Sequence, residues 1–369
     1  MKKAKPFDFG LFITALVLLG LGLITVLTAS SHLAKTSSLY GHNAYYFFIR
    51  QTLWGVLGLG AMFFFSSYDY RKLKKWSRLA FIAAIITLIA VLIPGIGGGE
   101  IRGAKRWIDL GFMNFQPSEF AKFAIILFLA ASLDKNYKQL KHFWKGFVPY
   151  LIVVGIIGGL LILEPHYSSL VIVFVISMII LFVAGAPIKH FIMTAIPVIP
   201  LGAILIAVKQ YRADRIFGFL DPWADPSGTG WQAIQSLYAL GSGGIFGLGL
   251  GQSRQKYLYL PDAHNDFIFS ILGEELGFIG ATLVVIVFIT FIWRGLRIAM
   301  KAPDLFGTLM ATGLTSLVAV QVILNIAIVT STMPVTGMPL PFFSYGGTAL
   351  LFFMAYTGIL LNISRHLEK

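Results

Sequence analysis

DFGLFITALVLLGLGLITVLTA, residues 8–29, carries no charge after its first residue and breaks its apolar run only with glycine and threonine. A helix of about 20 such residues crosses the roughly 30 Å of bilayer hydrocarbon. The run is too long for the apolar stretch of a cleavable signal peptide, and no small-x-small site follows it before the next polar residues. It reads as a first membrane span. Nine more apolar runs follow, at 45–66, 76–94, 117–133, 147–164, 168–185, 188–208, 267–293, 306–330 and 345–364. In the eighth, Glu274 and Glu275 come early, so its first turns are expected to dip into the membrane before the span proper starts near Leu276. The expectation is an all-α polytopic membrane protein of about ten helices.

Composition agrees. Of 369 residues, 57% are hydrophobic and 12% charged, against about 45–50% and about 25% in soluble domains. A water-soluble globular protein is excluded. There is no cysteine, which removes disulfides, thiolate metal sites and cysteine nucleophiles.

Lys and Arg set the orientation. With the N-terminus inside, 18 of the 29 basic residues fall on the short cytoplasmic segments, among them Arg71, Lys74, Lys135, Lys138, Arg294 and Arg365. Nine fall outside, and Arg50 and Lys122 lie within spans. Both termini are therefore expected in the cytoplasm, with the long connections 95–116 and 209–266 outward. The second is the large extracellular loop between helices 7 and 8, and the whole of 1–369 reads as one integral membrane domain. Such a chain, judged on spans alone, is a transporter or a structural membrane subunit.

The outward cations cluster. Arg102, Lys105 and Arg106 fall in GGGEIRGAKRWIDLG (97–111), Arg212 and Arg215 in YRADRIFGFLDPW (211–223), and Arg254 and Lys256 in GSGGIFGLGLGQSRQKYLYLP (241–261). Long loops translocate whatever their charge, which would make these cations incidental. Alternatively they form an outward cradle for an anion, since Arg forks and glycine-exposed N–H groups suit phosphate oxygens. Ionisable residues inside spans are a sharper signal, because charge in hydrocarbon is costly. Glu119 and Lys122 are three apart on one helix face, a structural ion pair or a catalytic one. Glu164 ends a span beside Pro165, and Arg50 is placed to snorkel. In PDAHNDFIFSILGEELG (261–277) the acids crowd the mouth of an apolar run. Asp266 is followed at once by Phe267, Ile268 and Phe269, a setting that partly desolvates a carboxylate and suits a general base. Asp262, His264 and Asp266 are spaced i, i+2, i+4, which fits neither one helix face nor a common ligand pattern. No tightly bound metal is expected; a divalent ion (Mg or Mn) would arrive with a substrate diphosphate.

Three stretches, GAKRWIDLGFMNFQPSEFAKFA (103–124), FGFLDPWADPSGTGWQAIQSLYALGSGGIFGLGLGQSRQKYLYLPDAHNDFIFSILGEELG (217–277) and PVTGMPLPFFSYGGTALL (334–351), closely resemble the SEDS family (shape, elongation, division and sporulation), which includes RodA, FtsW and SpoVE. Their order, spacing and membrane side match, over essentially the whole chain. The resemblance implies a membrane peptidoglycan glycosyltransferase that polymerises lipid II into β-1,4 glycan strands and releases undecaprenyl diphosphate. It implies action outside the bacterial cytoplasmic membrane, beside a class B penicillin-binding protein and with no nucleic-acid partner. The family's catalytic aspartate falls on Asp266 of AHNDFIF (263–269), and its acid–base pair on Glu119 and Lys122 of QPSEFAK (116–122). Asn265 stands where the family motif has threonine. EPHYSS (164–169) departs from a Pro-Asp-x-Gly-Thr pattern, with His166 at the aspartate position. The expected substrate-binding residues are Arg102, Lys105, Arg106, Arg212, Arg215, Lys256 and His264. YYFFIRQTLWGVLG (45–58) and 334–351 read closer to division and sporulation members than to the elongation branch. A lipid II flippase is the alternative. It would use the same cationic pocket but need a matching site on the cytoplasmic side, where the loops are short and Lys-rich. A scaffold would leave Asp266 and the arginines unexplained.

Overall fold

The computed structural model describes residues 6–93, 97, 106–109, 111, 114–208, 210–257 and 259–367, the side chains at 205–206 and 210–213 excepted. Ten long helices run back and forth: α1 (Phe9–Thr36), α2 (Tyr46–Ser67), α3 (Leu73–Leu92), α4 (Pro117–Asn136), α5 (Val148–Leu163), α6 (Tyr167–Val183) and α7 (Ile188–Ala207), then α10 (Ile268–Met300), α11 (Leu305–Val329) and α12 (Gly347–Ser364). The connection between α7 and α10 carries two shorter helices, α8 (Gln210–Leu220) and α9 (Trp231–Ser242). Each expected apolar run coincides with one long helix, because a lipid-immersed chain must satisfy its backbone within uninterrupted helices. Among the described residues, seven helices are long and apolar enough to span by those properties alone, and α6 and α7 are shorter apolar helices. The tenth is α4, whose 20 residues are about 30 Å long at 1.5 Å per residue. It is less apolar because it is an inner helix: Ser118, Glu119 and Lys122 are buried on it rather than turned to lipid.

The core lies where α4, α11 and α12 meet. Most residues of these helices are buried, whereas α1, α2, α3 and α10 bury one face and expose Leu, Ile, Val and Phe on the other. Pro117 starts α4 at a position where a proline loses no helical bond. The end of the bundle bearing the start of α1 is stitched by ions. Asp8 caps α1 by accepting from Leu11 N at 2.8 Å and pairs with Arg294 at 3.1 Å. Arg71 pairs with Asp304 at 3.1 Å, and Lys74 with Asp134. At the other end a two-residue hairpin pairs Ile108 with Phe115 and Asp109 with Asn114.

The expected dip in the eighth span is a break. At Gly277 (φ +69°) α10 leaves helical geometry, and the loop 243–249 docks into the gap. Leu248 N donates to Glu274 O and Gly249 N to Glu275 O, both at 3.0 Å, and Phe278 N donates to Gly244 O at 2.9 Å. Backbone groups freed inside a membrane protein need such partners. A Cβ on Gly277 would lie 2.2 Å from Gly247 N, so only glycine permits the contact.

Candidate active site

The segment 261–267 reaches the bundle from α9 and hands Asp266 to the start of α10. Its backbone is clamped by the segment between α11 and α12. Asn325, fully buried on α11, uses its side-chain amide to donate to Asp266 O at 2.8 Å and to Met338 O at 2.6 Å. Ser344 Oγ donates to Asn265 O at 2.7 Å, and Tyr345 N to His264 O at 3.0 Å. Gln51 of α2 reaches the same segment, donating to Ser344 O and accepting from Gly346 N, each at 3.2 Å. Phe267 and Ile268 plug into the core behind Asp266, leaving its carboxylate half-buried. Gly337 (φ +71°) lies against that carboxylate: a Cβ there would sit 3.2 Å from Asp266 Oδ2.

In front of Asp266 lies a cavity of about 1730 Å³. Glu119, Lys122, Arg106, Arg215 and His264 line it with Asp266, so the structure brings together these six expected site residues. Lys122 Nζ donates to Glu119 Oε1 at 2.7 Å with both side chains buried, and Tyr356 OH donates to Glu119 O at 3.4 Å. Arg106 is braced on Pro165 O at 2.6 Å and Arg215 on Val335 O at 3.0 Å. The His264 ring packs 4.6 Å from that of Phe47. Arg102 and Lys105 lie outside the described residues, as does the side chain of Arg212.

Lys256 is placed elsewhere. It is buried, donates to Gly251 O at 2.5 Å and pairs with Glu275 at 3.5 Å, and it is not among the residues lining the cavity. Glu274 and Glu275 hold this glycine-rich loop. Glu274 accepts from Ser253 Oγ at 2.5 Å and from Arg254 N at 2.9 Å.

Some residues went unrecognised as site residues in the sequence. Arg50 does not merely snorkel: it lines the cavity, its guanidinium 4.5 Å from the centroid of the Tyr46 ring. Gln51 and Asn325 carry the clamps, and Gln321 lines the cavity wall. The signal available was a neutral amide inside an apolar run. His166, in the turn between α5 and α6, donates to or accepts from Ser169 Oγ at 3.1 Å. Burial, with the charges of Arg106 and Lys122, holds its imidazole well below the usual range, hence neutral at pH 7. Among the described residues no group of three His, Asp or Glu side chains is placed to hold a metal ion.

The cavity therefore joins a carboxylate on a clamped backbone to cations from separate segments, with apolar walls. Leu53, Val56 and Leu57 of α2 and Val171 of α6 line it and are also about half exposed on the lipid-facing surface.

Comparison with known proteins follows the same lines. Residues 9–369 match the model of the FtsW/RodA/SpoVE family, described as cell cycle protein. The chain is 44% identical over 365 residues to stage V sporulation protein E of Bacillus subtilis (strain 168), covering 99% of this chain and 98% of that protein. It is 38% identical over 368 residues to the "probable peptidoglycan glycosyltransferase FtsW" of Geobacter sp. (strain M18), covering 100% and 99%. Among solved structures, a chain from work on structural coordination of polymerization and crosslinking by a peptidoglycan synthase complex superposes with a TM-score of 0.79 at 27% identity, covering 97% and 98%. The rod shape determining protein RodA of Thermus thermophilus superposes with a TM-score of 0.69 at 26% identity, covering 98% of each chain.

Proposed function

Because the chain belongs to the FtsW/RodA/SpoVE family, we propose that it is a peptidoglycan glycosyltransferase that polymerises lipid II, with Asp266 as general base. The observation that carries this reading is the convergence on one cavity of the Asp266 carboxylate, its backbone clamped, and three arginines, Arg50, Arg106 and Arg215, from three separate segments. The acceptor is the 4-hydroxyl of an N-acetylglucosamine. Its oxygen attacks the anomeric carbon of the donor from the face opposite the diphosphate, Asp266 takes the hydroxyl proton, and the α-linked donor becomes a β-1,4 bond. The C1–O bond to the diphosphate breaks, and undecaprenyl diphosphate leaves as an anion. Arginines aimed at the departing oxygens stabilise charge as it develops. So good a leaving group needs no protonation. Lys122 and Glu119 form a buried, mutually neutralised ion pair on the same wall. The isoprenoid tail lies along Leu53, Val56, Leu57 and Val171, which open the cavity toward lipid.

The ion-paired end of the bundle faces the cytoplasm, following the Lys and Arg bias, and the cavity faces out from the plasma membrane. A divalent ion, where one is used, comes with the diphosphate. A penicillin-binding transpeptidase is the expected partner, by analogy with the synthase complex whose chain superposes on this one. Identities of 44% and 38% to SpoVE and FtsW proteins favour the division and sporulation branch.

Polymerisation of purified lipid II in detergent tests the reading. No bilayer remains to flip across, so glycan product separates a polymerase from a flippase. Absence of glycan from folded protein, alone and with its transpeptidase, would overturn the proposal.

A further inference from the structure

Where α4, α6 and α11 pack together, at the floor of the cavity, several buried polar atoms have no hydrogen-bond partner among the described residues. They are Nε2 and Oε1 of Gln321, Oε2 of Glu119 and Nδ1 of His166. All three side chains line the cavity, and all three are more than nine-tenths buried. Buried donors and acceptors are nearly always satisfied, by protein, water or ligand. Here α11, α4 and the turn before α6 present an unsatisfied carboxamide, one free carboxylate oxygen and one ring nitrogen of a neutral imidazole to the same cavity. The other Glu119 oxygen is taken by Lys122, and the other His166 nitrogen by Ser169, so neither group is free to swing away. An ionic ligand is a poor match: Lys122 is already paired, and the unused groups are a mixture of donor and acceptors. A secondary amide fits, because its N–H and C=O complement the C=O and NH2 of a glutamine side chain.

We propose that Gln321, with Glu119 and His166, forms a pocket for the acetamido group of a 2-acetamido sugar. The pocket rests on the glycosyltransferase reading and says which part of the substrate occupies the cavity floor. Register on α11 sets its place. Gln321 lies four residues before Asn325, about 6 Å deeper on the same face, and Asn325 holds the backbone of Asp266. On a hexose ring the 4-oxygen and the 2-nitrogen are about that far apart. A sugar whose 4-hydroxyl meets Asp266 can therefore rest its acetamido group on Gln321. The arginines, with no such mixed donor and acceptor set, are left to the diphosphate. Gln321 is a substrate-positioning residue here and takes no proton.

The test uses the full-length protein in detergent, with lipid II and two analogues lacking the acetyl group on the terminal or on the lipid-proximal sugar. Gln321→Met removes the amide at nearly constant volume. Because the amide has no protein partner, the variant is expected to melt no lower than the parent. It should lose roughly tenfold in kcat/KM and in affinity toward lipid II, the scale of one lost neutral hydrogen bond. Toward the analogue lacking the acetyl group that the pocket holds, parent and variant should be equal. The acceptor geometry predicts that this is the terminal-sugar analogue; equality with the lipid-proximal analogue would instead assign the pocket to the donor sugar, with the acetamido chemistry unchanged. Should Gln321→Met fold poorly, Gln321→Glu, which keeps the shape and one acceptor, is read by the same ratios. Losses equal on all three substrates, or no loss on lipid II, would overturn the proposal. Affinity measured by native mass spectrometry decides the matter even where no glycan forms, in which case it is the polymerase reading that has failed.

Discussion

Gly337→Ala places one methyl group against the carboxylate of Asp266, the proposed general base, and the structure fixes what it should do. The new Cβ would stand 3.2 Å from Asp266 Oδ2 and 3.9 Å from its Cγ, too close for the oxygen to stay where it is. Asp266 cannot retreat by moving its backbone, because Asn325 and the Ser344 and Tyr345 clamps hold residues 264–266. The carboxylate must therefore rotate by a few tenths of an ångström or more. Misplacing a reacting group by about 1 Å costs roughly 100-fold, so the smaller shift here should lower kcat by about 10- to 100-fold, with KM changing less. The left-handed backbone at Gly337 (φ +71°) adds about 1–2 kcal/mol of strain for an L side chain. Gly185→Ala isolates that strain: Gly185 has φ +95° and open space where its Cβ would lie, in the turn between α6 and α7. Both variants should lose similar thermal stability, and only Gly337→Ala should lose glycan synthesis from purified lipid II. A Gly337→Ala enzyme within twofold of the parent rate, or a Gly185→Ala enzyme equally impaired, would refute the reasoning.

Asn325→Leu removes two donors to buried carbonyls, and each carbonyl left unsatisfied costs about 1–3 kcal/mol. Asn325→Asp loses the same donors and turns a buried carboxylate onto those carbonyls, so both variants should lower the melting temperature and reduce glycan synthesis, Asn325→Asp at least as much, measured side by side. Arg50→Gln and Arg106→Gln should each raise the KM for lipid II about tenfold, as expected for a lost charge-assisted bond, and make it less sensitive to salt in steady-state assays. Although burial alone would raise its pKa, bonds from Tyr70 OH, Gly307 N and Arg71 hold the Asp304 carboxyl below its ordinary value of 3.8. Its contribution is therefore complete above about that pH and is lost as pH falls through the depressed folded value. Asp304→Asn should cost about 1–2 kcal/mol near neutrality and flatten the acid limb of a melting-temperature profile.

Ten helices could be read from hydrophobic runs because lipid leaves so few alternatives to an apolar helix. The ends agree closely, as for 188–208 against Ile188–Ala207. The ionisable part of the site was legible for a related reason: charge near hydrocarbon needs a function or a partner, and Glu119, Lys122 and Asp266 meet in one cavity. What could not be read depends on distances that no linear pattern encodes. Lys256 looked like one more outward cation, but the close approach of Gly247 to Gly277 folds its loop onto the α10 break, where Glu275 takes it. Arg50 depended on the rotation of α2, which sets it on the lining of the cavity. Gln51, Gln321 and Asn325 carry no charge to mark them in the sequence, yet in a dry interior an amide left without partners is costly too.

Asp266→Asn tests the central claim most directly. The amide keeps the size of the side chain and leaves the Asn325 bond to the backbone carbonyl untouched, so the variant should fold, melt near the parent and bind lipid II with similar affinity. Without a basic oxygen to take the acceptor proton, it should make glycan at least about 100-fold more slowly, the scale of a lost general base. Glu274→Gln and Asp262→Asn, measured beside it, should retain most activity. Glycan synthesis by Asp266→Asn near the parent rate, while either of those variants is inactive, would contradict the account.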